Sequence, residues 1–199
     1  PAAALYSVLG ADVVWGRALG IAFATGAALY LARLASRHVD RWSAACAAVA
    51  FSLFPLNTYI GAAFMPESLM LLASVAAIDH MDLWARTGRE RDRWLAALFL
   101  ATAVAVKLPE LFLGVPVAYL AWSRLGWRAF ARPAVWLQAV VALALPGLWY
   151  LHAHQLKEMT GLTFKIWEAG RDKWGNIDLL MSPSFYTDLV FSNLIERHL

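Results

Sequence analysis

Between Trp94 and Trp122 two apolar runs flank the tetrapeptide Lys107-Leu108-Pro109-Glu110, and neither run is long enough to cross a membrane. A spanning helix needs about 20 residues at ~1.5 Å rise each, whereas these runs hold roughly 13 or 14. Arg86, Arg89, Arg91 and Arg93 precede the stretch, and Arg124, Arg128 and Arg132 follow it. Arginine concentrates in the cytoplasmic loops of membrane proteins, so both clusters belong on one face and the chain between them crosses an even number of times. The stretch therefore predicts a hairpin with arms of roughly 20 Å against ~30 Å of hydrocarbon, its turn below the far surface in a protein-lined or watery pocket. Lys107 and Glu110 are then charged groups at membrane depth, which by default marks a functional site.

Composition agrees with a membrane setting: 61% of residues are hydrophobic, only 16% are charged, and ten are Trp. A soluble domain carries more charge than this. The net charge of +3 forms no dense basic patch, so nucleic acid is not expected as a partner. Cys46 is the sole cysteine and excludes a disulfide within the chain. No Walker loop, GxSxG, dinucleotide glycine fingerprint or HExxH occurs, which argues against nucleotide-driven chemistry. The chain opens on Pro1 with no secretory signal and is expected to be a piece of a longer protein.

In chain order, a first apolar helix is expected from about Val13 to Leu34, with Arg17 near its start able to snorkel to the interface. Arg33, Arg37 and Arg41 then mark a cytoplasmic loop and set the amino end outside. The 43 residues from Trp42 to Trp84 suffice for two spans joined by a turn near Asn57 to Pro66 that carries no Lys or Arg. After the hairpin, a sixth helix is expected from Pro133, a favoured first helical position, to about Leu151. Of the seventeen basic residues, ten arginines fall in the three cytoplasmic loops, and Lys107 is the one cation in the two external turns. The fold class is thus all-α, a polytopic transmembrane helix bundle of about six helices over residues 1–151, followed by an external segment over 152–199. Gly161, Gly170, Gly175 and Asn176 punctuate that segment, and from Ser182 onward Phe185, Leu189, Phe191 and Ile195 give an amphipathic surface. It is expected on the outer membrane face.

Four positions invite chemistry. Glu67 follows Met65-Pro66, where a carboxylate in a first helical turn is stabilised by the dipole and free amides; at a bundle rim it also suits orienting an acceptor or ligating a cation. Lys107 facing an external cavity suits a phosphate and the negative charge developing on a leaving group, the alternative being a snorkelling lysine paired with Glu110. His152 and His154 could share a metal on extended backbone, but no further His or Cys completes a set. Trp149 and Tyr150 read as belt residues, and Asp79, His80 and Asp82 as solvated groups at a helix end.

Several of these features resemble one family. Pro1-x-x-x-Leu5-Tyr6, Arg17 leading the next helix, Met65-Pro66-Glu67, Lys107-x-Pro109 and Pro146-x-x-Trp149-Tyr150 are similar to the GT-C membrane glycosyltransferases, and more narrowly to the protein mannosyltransferase and aminoarabinose transferase group, glycosyltransferase family 39. The resemblance implies transfer of a sugar from a polyprenyl-phosphate carrier to a protein, lipid or glycan acceptor on the external face of the bacterial inner membrane. It implies that Lys107 contacts the carrier phosphate, that Glu67 lines the acceptor side, and that His154 or His152 lies near the cavity. The family's principal catalytic acid sits in the first external loop, so it is expected upstream of Pro1 and no catalytic residue is assigned within the chain. No cofactor is implied for certain, and a divalent metal is left open. The competing readings are a transporter or flippase of a lipid-linked or anionic substrate, which an inverted repeat would favour though none is visible, and a non-catalytic membrane subunit binding partners through its aromatic tail.

Overall fold

A computed structural model describes residues 6–8, 10, 12–63, 65–161, 181–184 and 187. Every regular element among them is helical: α1 (Val13–Ala35), α2 (Arg41–Leu53), α3 (Pro55–Ala62), α4 (Glu67–Thr87), α5 (Glu90–Val106), a 3-10 helix (Leu108–Leu113), α6 (Gly114–Leu125), α7 (Arg128–Ala131) and α8 (Pro133–Thr160). The chain divides into two compact units, Pro1–Tyr150 and Leu151–Leu199. The Pro1-to-Leu5 part of the amino-terminal motif, the turns at Gly170, Gly175 and Asn176, and most of the amphipathic surface after Ser182 lie outside the described residues.

Three helices, α1, α4 and α8, are each long and apolar enough to cross a membrane, and a fourth crossing results if the bent pair α2–α3 is one span. The bend of 63° falls where Pro55 removes a backbone donor. The carbonyls freed there are taken up by side chains: Asn57 Nδ2 donates to Phe51 O at 2.8 Å and Thr58 Oγ1 to Ser52 O at 3.0 Å. Such internal satisfaction is what a broken helix in lipid requires. Asn57 to Ala62 is therefore helix α3, and the connection expected there is confined to Ala63–Pro66. Pro66 stands immediately before the first residue of α4 rather than at its first helical position.

Helix α4 is the hub of the first unit, packing against α1, α3, α5, the 3-10 helix and α6. Small residues make this possible. Ala76 and Ala77 are fully buried, and Ala96, Ala97, Leu100 and Val104 recur at helical spacing on the facing side of α5. At the other face, Gly20 of α1 is so close to the α3–α4 connection that a Cβ there would meet Gly61 O at 2.9 Å and Ala63 O at 3.1 Å.

The carboxyl-terminal half of α4 gathers charge. Asp79 is fully buried, paired with Arg33 and, at 2.6 Å, with Arg37; Asp82 bonds Arg37 at 2.7 Å and Arg86 at 3.0 Å. His80 Nδ1 lies 2.9 Å from Asp92 of α5, and as the Nδ1–H tautomer it leaves Nε2 to accept from Tyr30 at 3.4 Å and Arg33 at 3.5 Å, while its ring stacks on Phe99. Asp79, His80 and Asp82 are not solvated helix-end groups: they are the buried ionic joint between α1, α4 and α5. The reason is local, since Arg33 in the last turn of α1 and Arg37 in the turn that follows it meet the α4 face that carries Asp79 and Asp82.

The same end of α4 proves the hairpin. Trp84 Nε1 donates to Glu90 at the start of α5 (3.4 Å), and Arg124 at the end of α6 lies over the Trp84 ring at 5.2 Å and donates to Ala85 O at 2.8 Å. The left-handed Gly88 (φ 76°) closes α4 beside Arg124. Arg93 of α5 donates to Ala134 O of α8. All three arginine-bearing connections thus converge on one end of the unit. In the first of them Asp40 caps α2, and Ser43 through its hydroxyl and backbone amide holds the Asp40 carboxyl below its ordinary value. The arms differ in length: α5 has 17 residues and α6 has 12, the latter preceded by the six-residue 3-10 helix. The last helix runs on to Thr160, nine residues beyond the expected end at Leu151.

Two substitutions test this packing. Gly20→Ala should destabilise by about 1–3 kcal/mol because the obstructing atoms are backbone, whereas Gly114→Ala, with nothing within 4 Å of the new methyl, should be neutral in the same thermal unfolding series in detergent. Asp79→Ala should cost about 2–3 kcal/mol, below the ~3–5 typical of a fully buried pair because Arg33 is partly solvated.

Candidate functional site

At the opposite end of α4 the chain breaks three times within a small space. Pro66 starts α4, α5 stops at Val106, and Lys107 adopts an extended backbone (φ −144°, ψ 125°) before Pro109 opens the 3-10 helix. Proline disfavours helix in the residue before it and supplies no donor, so Leu108-Pro109 cannot continue α5. Lys107 Nζ lies 2.9 Å from Glu67 Oε1, with the lysine side chain 48% exposed and that of Glu67 21%. The second carboxylate oxygen, Oε2, is buried and has no hydrogen-bond partner among the described residues. The two residues read separately from the sequence as phosphate-side and acceptor-side candidates are therefore one ion pair.

Glu110 does not pair with Lys107. Its Oε2 lies 2.9 Å from Ser74 Oγ, which also lies 2.8 Å from Met70 O and shares its one hydrogen between them. Ser74 is two turns along α4 from Glu67, about 10 Å further into the unit. Lys107 thus reaches the rim while Glu110 points back inside.

Tyr150 holds this break open. Its hydroxyl donates to Val104 O at 3.0 Å. Leu108 N–H to Val104 O is the i to i−4 bond that α5 would make if it continued, and the phenol sits in its place. An inserted side chain of this kind is a recognised cause of helix breaks. Tyr150 is 9% exposed and is not a belt residue, whereas its neighbour Trp149 is 54% exposed. The signal was present in the spacing: Gln138, Ala142, Pro146 and Tyr150, four apart, are the buried stripe of α8. Between that stripe, α5 and α6 lies an apolar cavity of about 190 Å³ with Gln138 as its one amide. A larger crevice of about 480 Å³ between α1, α2 and α3 has no charged residue in its lining.

His152 and His154 belong to the second unit, on α8. Their backbone is helical, so residues two apart point to different faces and cannot chelate one metal as an extended pair would. His154 faces Glu158 one turn on at 3.3 Å. Among the described residues no group of three His, Cys, Asp or Glu side chains is placed to hold a metal.

Comparison with known families decides the class. Residues 2–150 match the family described as dolichyl-phosphate-mannose-protein mannosyltransferase. The chain belongs to that family. This places it among the GT-C membrane glycosyltransferases, and the match spans Glu67, Lys107, Glu110 and Tyr150 while ending before His152. No curated protein and no solved structure matches the chain.

Tyr150→Phe isolates the phenol's contribution. It should lower stability by about 1–3 kcal/mol in thermal unfolding in detergent, the cost of leaving the buried Val104 carbonyl without its partner.

Proposed function

We propose that this mannosyltransferase-family chain binds the phosphate of a polyprenyl-phosphate-linked sugar at Lys107 and takes part in moving that sugar to a hydroxyl-bearing acceptor on the external face of the membrane. The observation that carries the reading is the Glu67–Lys107 pair at the broken apex, half open to solvent and with one buried carboxylate oxygen still able to accept a hydrogen bond. In such a transfer the acceptor oxygen bonds to the sugar's anomeric carbon, the bond from that carbon to the phosphate oxygen breaks, and the carrier phosphate leaves with the electron pair. The leaving phosphate gains negative charge, and a preorganised cation beside it stabilises the transition state more than the ground state.

Glu67 fits two tasks that follow from its geometry. Its Oε1 positions the lysine ammonium through their 2.9 Å contact, and its Oε2 is an acceptor for a hydroxyl of the sugar or of the incoming nucleophile. Neither residue is assigned as the base that takes the acceptor's proton. Glu110 supports the apex through Ser74, and no part of this reading rests on His152 or His154. With arginines gathered at the opposite end, the positive-inside rule puts the Glu67–Lys107 end outside, and a bacterial inner membrane suits that arrangement.

In membrane vesicles supplied with a polyprenyl-phosphate sugar, Lys107→Ala should reduce transfer about 10²- to 10³-fold, the range for losing one transition-state donor. Lys107→Arg should recover part of it. Glu67→Gln should act mainly on KM if it orients a hydroxyl. Wild-type kinetics in Lys107→Ala, with the unfolding midpoint unchanged, would remove the assignment.

A further inference from the structure

The arginine-bearing end of the first unit carries more positive charge than its own carboxylates consume. Arg33, Arg37, Arg86 and Arg93 are all paired, but Arg89, Arg91, Arg128 and Arg132 are exposed and make no ion pair or side-chain hydrogen bond among the described residues. The structure also ties together the two connections that carry these four. Arg124 bonds Ala85 O at the end of α4 and Arg93 bonds Ala134 O at the start of α8, so the α6–α8 connection is tied at both ends to the α4–α5 corner. The one carboxylate exposed at that corner, Glu90, is taken by the buried Arg93 at 2.5 Å.

The surface beside these arginines is aromatic. Trp122 and Trp127 meet edge to face at 6.3 Å, Tyr119 lies 6.1 Å from Trp122, and Trp127 is 78% exposed. Trp136, 57% exposed, stands one turn into α8, which is long and apolar enough to span. The row therefore passes from a helix suited to hydrocarbon into a cluster of four unneutralised guanidinium groups. A ligand that matches both parts has apolar chains directly attached to a phosphate of net negative charge.

We infer that Arg89, Arg91, Arg128 and Arg132, with Trp127 and Trp136, form a binding surface for anionic phospholipid headgroups. Guanidinium suits phosphate through its forked donors, and indole settles at the headgroup level. Each basic residue near such a surface contributes independently, and the attraction decays within the salt-screening length. A zwitterionic lipid offers the same phosphate, but its ammonium cancels the charge and should not satisfy the site. The inference does not depend on the sugar-transfer reading, since it concerns the other end of α4.

The test uses the purified chain in a neutral detergent, titrated with phosphatidylglycerol, phosphatidylcholine or inorganic phosphate. Phosphatidylglycerol should raise the unfolding midpoint by about 3 °C or more over phosphatidylcholine, through binding to the folded state alone, and the gain should shrink at about 0.5 M salt. Native mass spectrometry should show phosphatidylglycerol retained preferentially. Arg128→Gln/Arg132→Gln and Arg89→Gln/Arg91→Gln should each lose about half of the gain and the fourfold variant nearly all of it, with the midpoint in phosphatidylcholine unchanged because none of the four is paired; should the fourfold variant fail to fold, the two double variants carry the comparison. Equal response to the two lipids, an equal response to inorganic phosphate, or a wild-type gain in the double variants would overturn the assignment.

Discussion

A carboxylate removed from water must be matched by cations, and Asp79 meets that demand by drawing Arg33 of α1, and Arg37 just past its end, against α4. Much of the arrangement follows from this joint. With α1 held on one side of α4, Gly20 can approach the α3–α4 connection, and that connection presents Glu67 at the start of α4. Asp82 and His80 extend the joint to the α4–α5 corner through Arg86 and Asp92. Helix α5 then leaves that corner in a fixed direction and arrives at the far end of α4 with Lys107 beside Glu67.

The two ends of α4 use charge differently. At one end Asp79 and Asp82 are saturated by arginine, which suits a structural joint. At the other, Glu67 has one buried oxygen with no hydrogen-bond partner among the described residues, and Lys107 is half open to solvent. An incomplete ion pair retains hydrogen-bonding capacity that a fully fastened one has spent. The neighbouring Glu110–Ser74 contact is closer to the fastening kind, because the serine is also bonded to its own helix.

The all-α membrane class was legible in composition and in the arginine spacing, since both are sums over many residues. The hairpin was legible too, because the positive charges at 86–93 and 124–132 had to share a face, and Trp84 and Ala85 show that they do. Lys107 and Glu67 could each be named from their local motifs, but not as partners, since 39 intervening positions hide a contact made only in three dimensions. The polar run Asp79-His80-Met81-Asp82 was misjudged for the same reason: its burial depends on arginines one helix hairpin away. His152 and His154 were read with a helix ending too early, because Pro146 and Gly147 look like a stop, whereas buried Pro146 is tolerated within α8.

The phenol bonded to Val104 O makes one helix the latch of another. Were α8 to slide by the diameter of a single atom, the carbonyl in the last turn of α5 would lose its partner next to the residue that leads into Lys107. The void of about 190 Å³ beside Gln138 lies against the same helix, so the seating of α8 bears directly on how the last turn of α5 is satisfied.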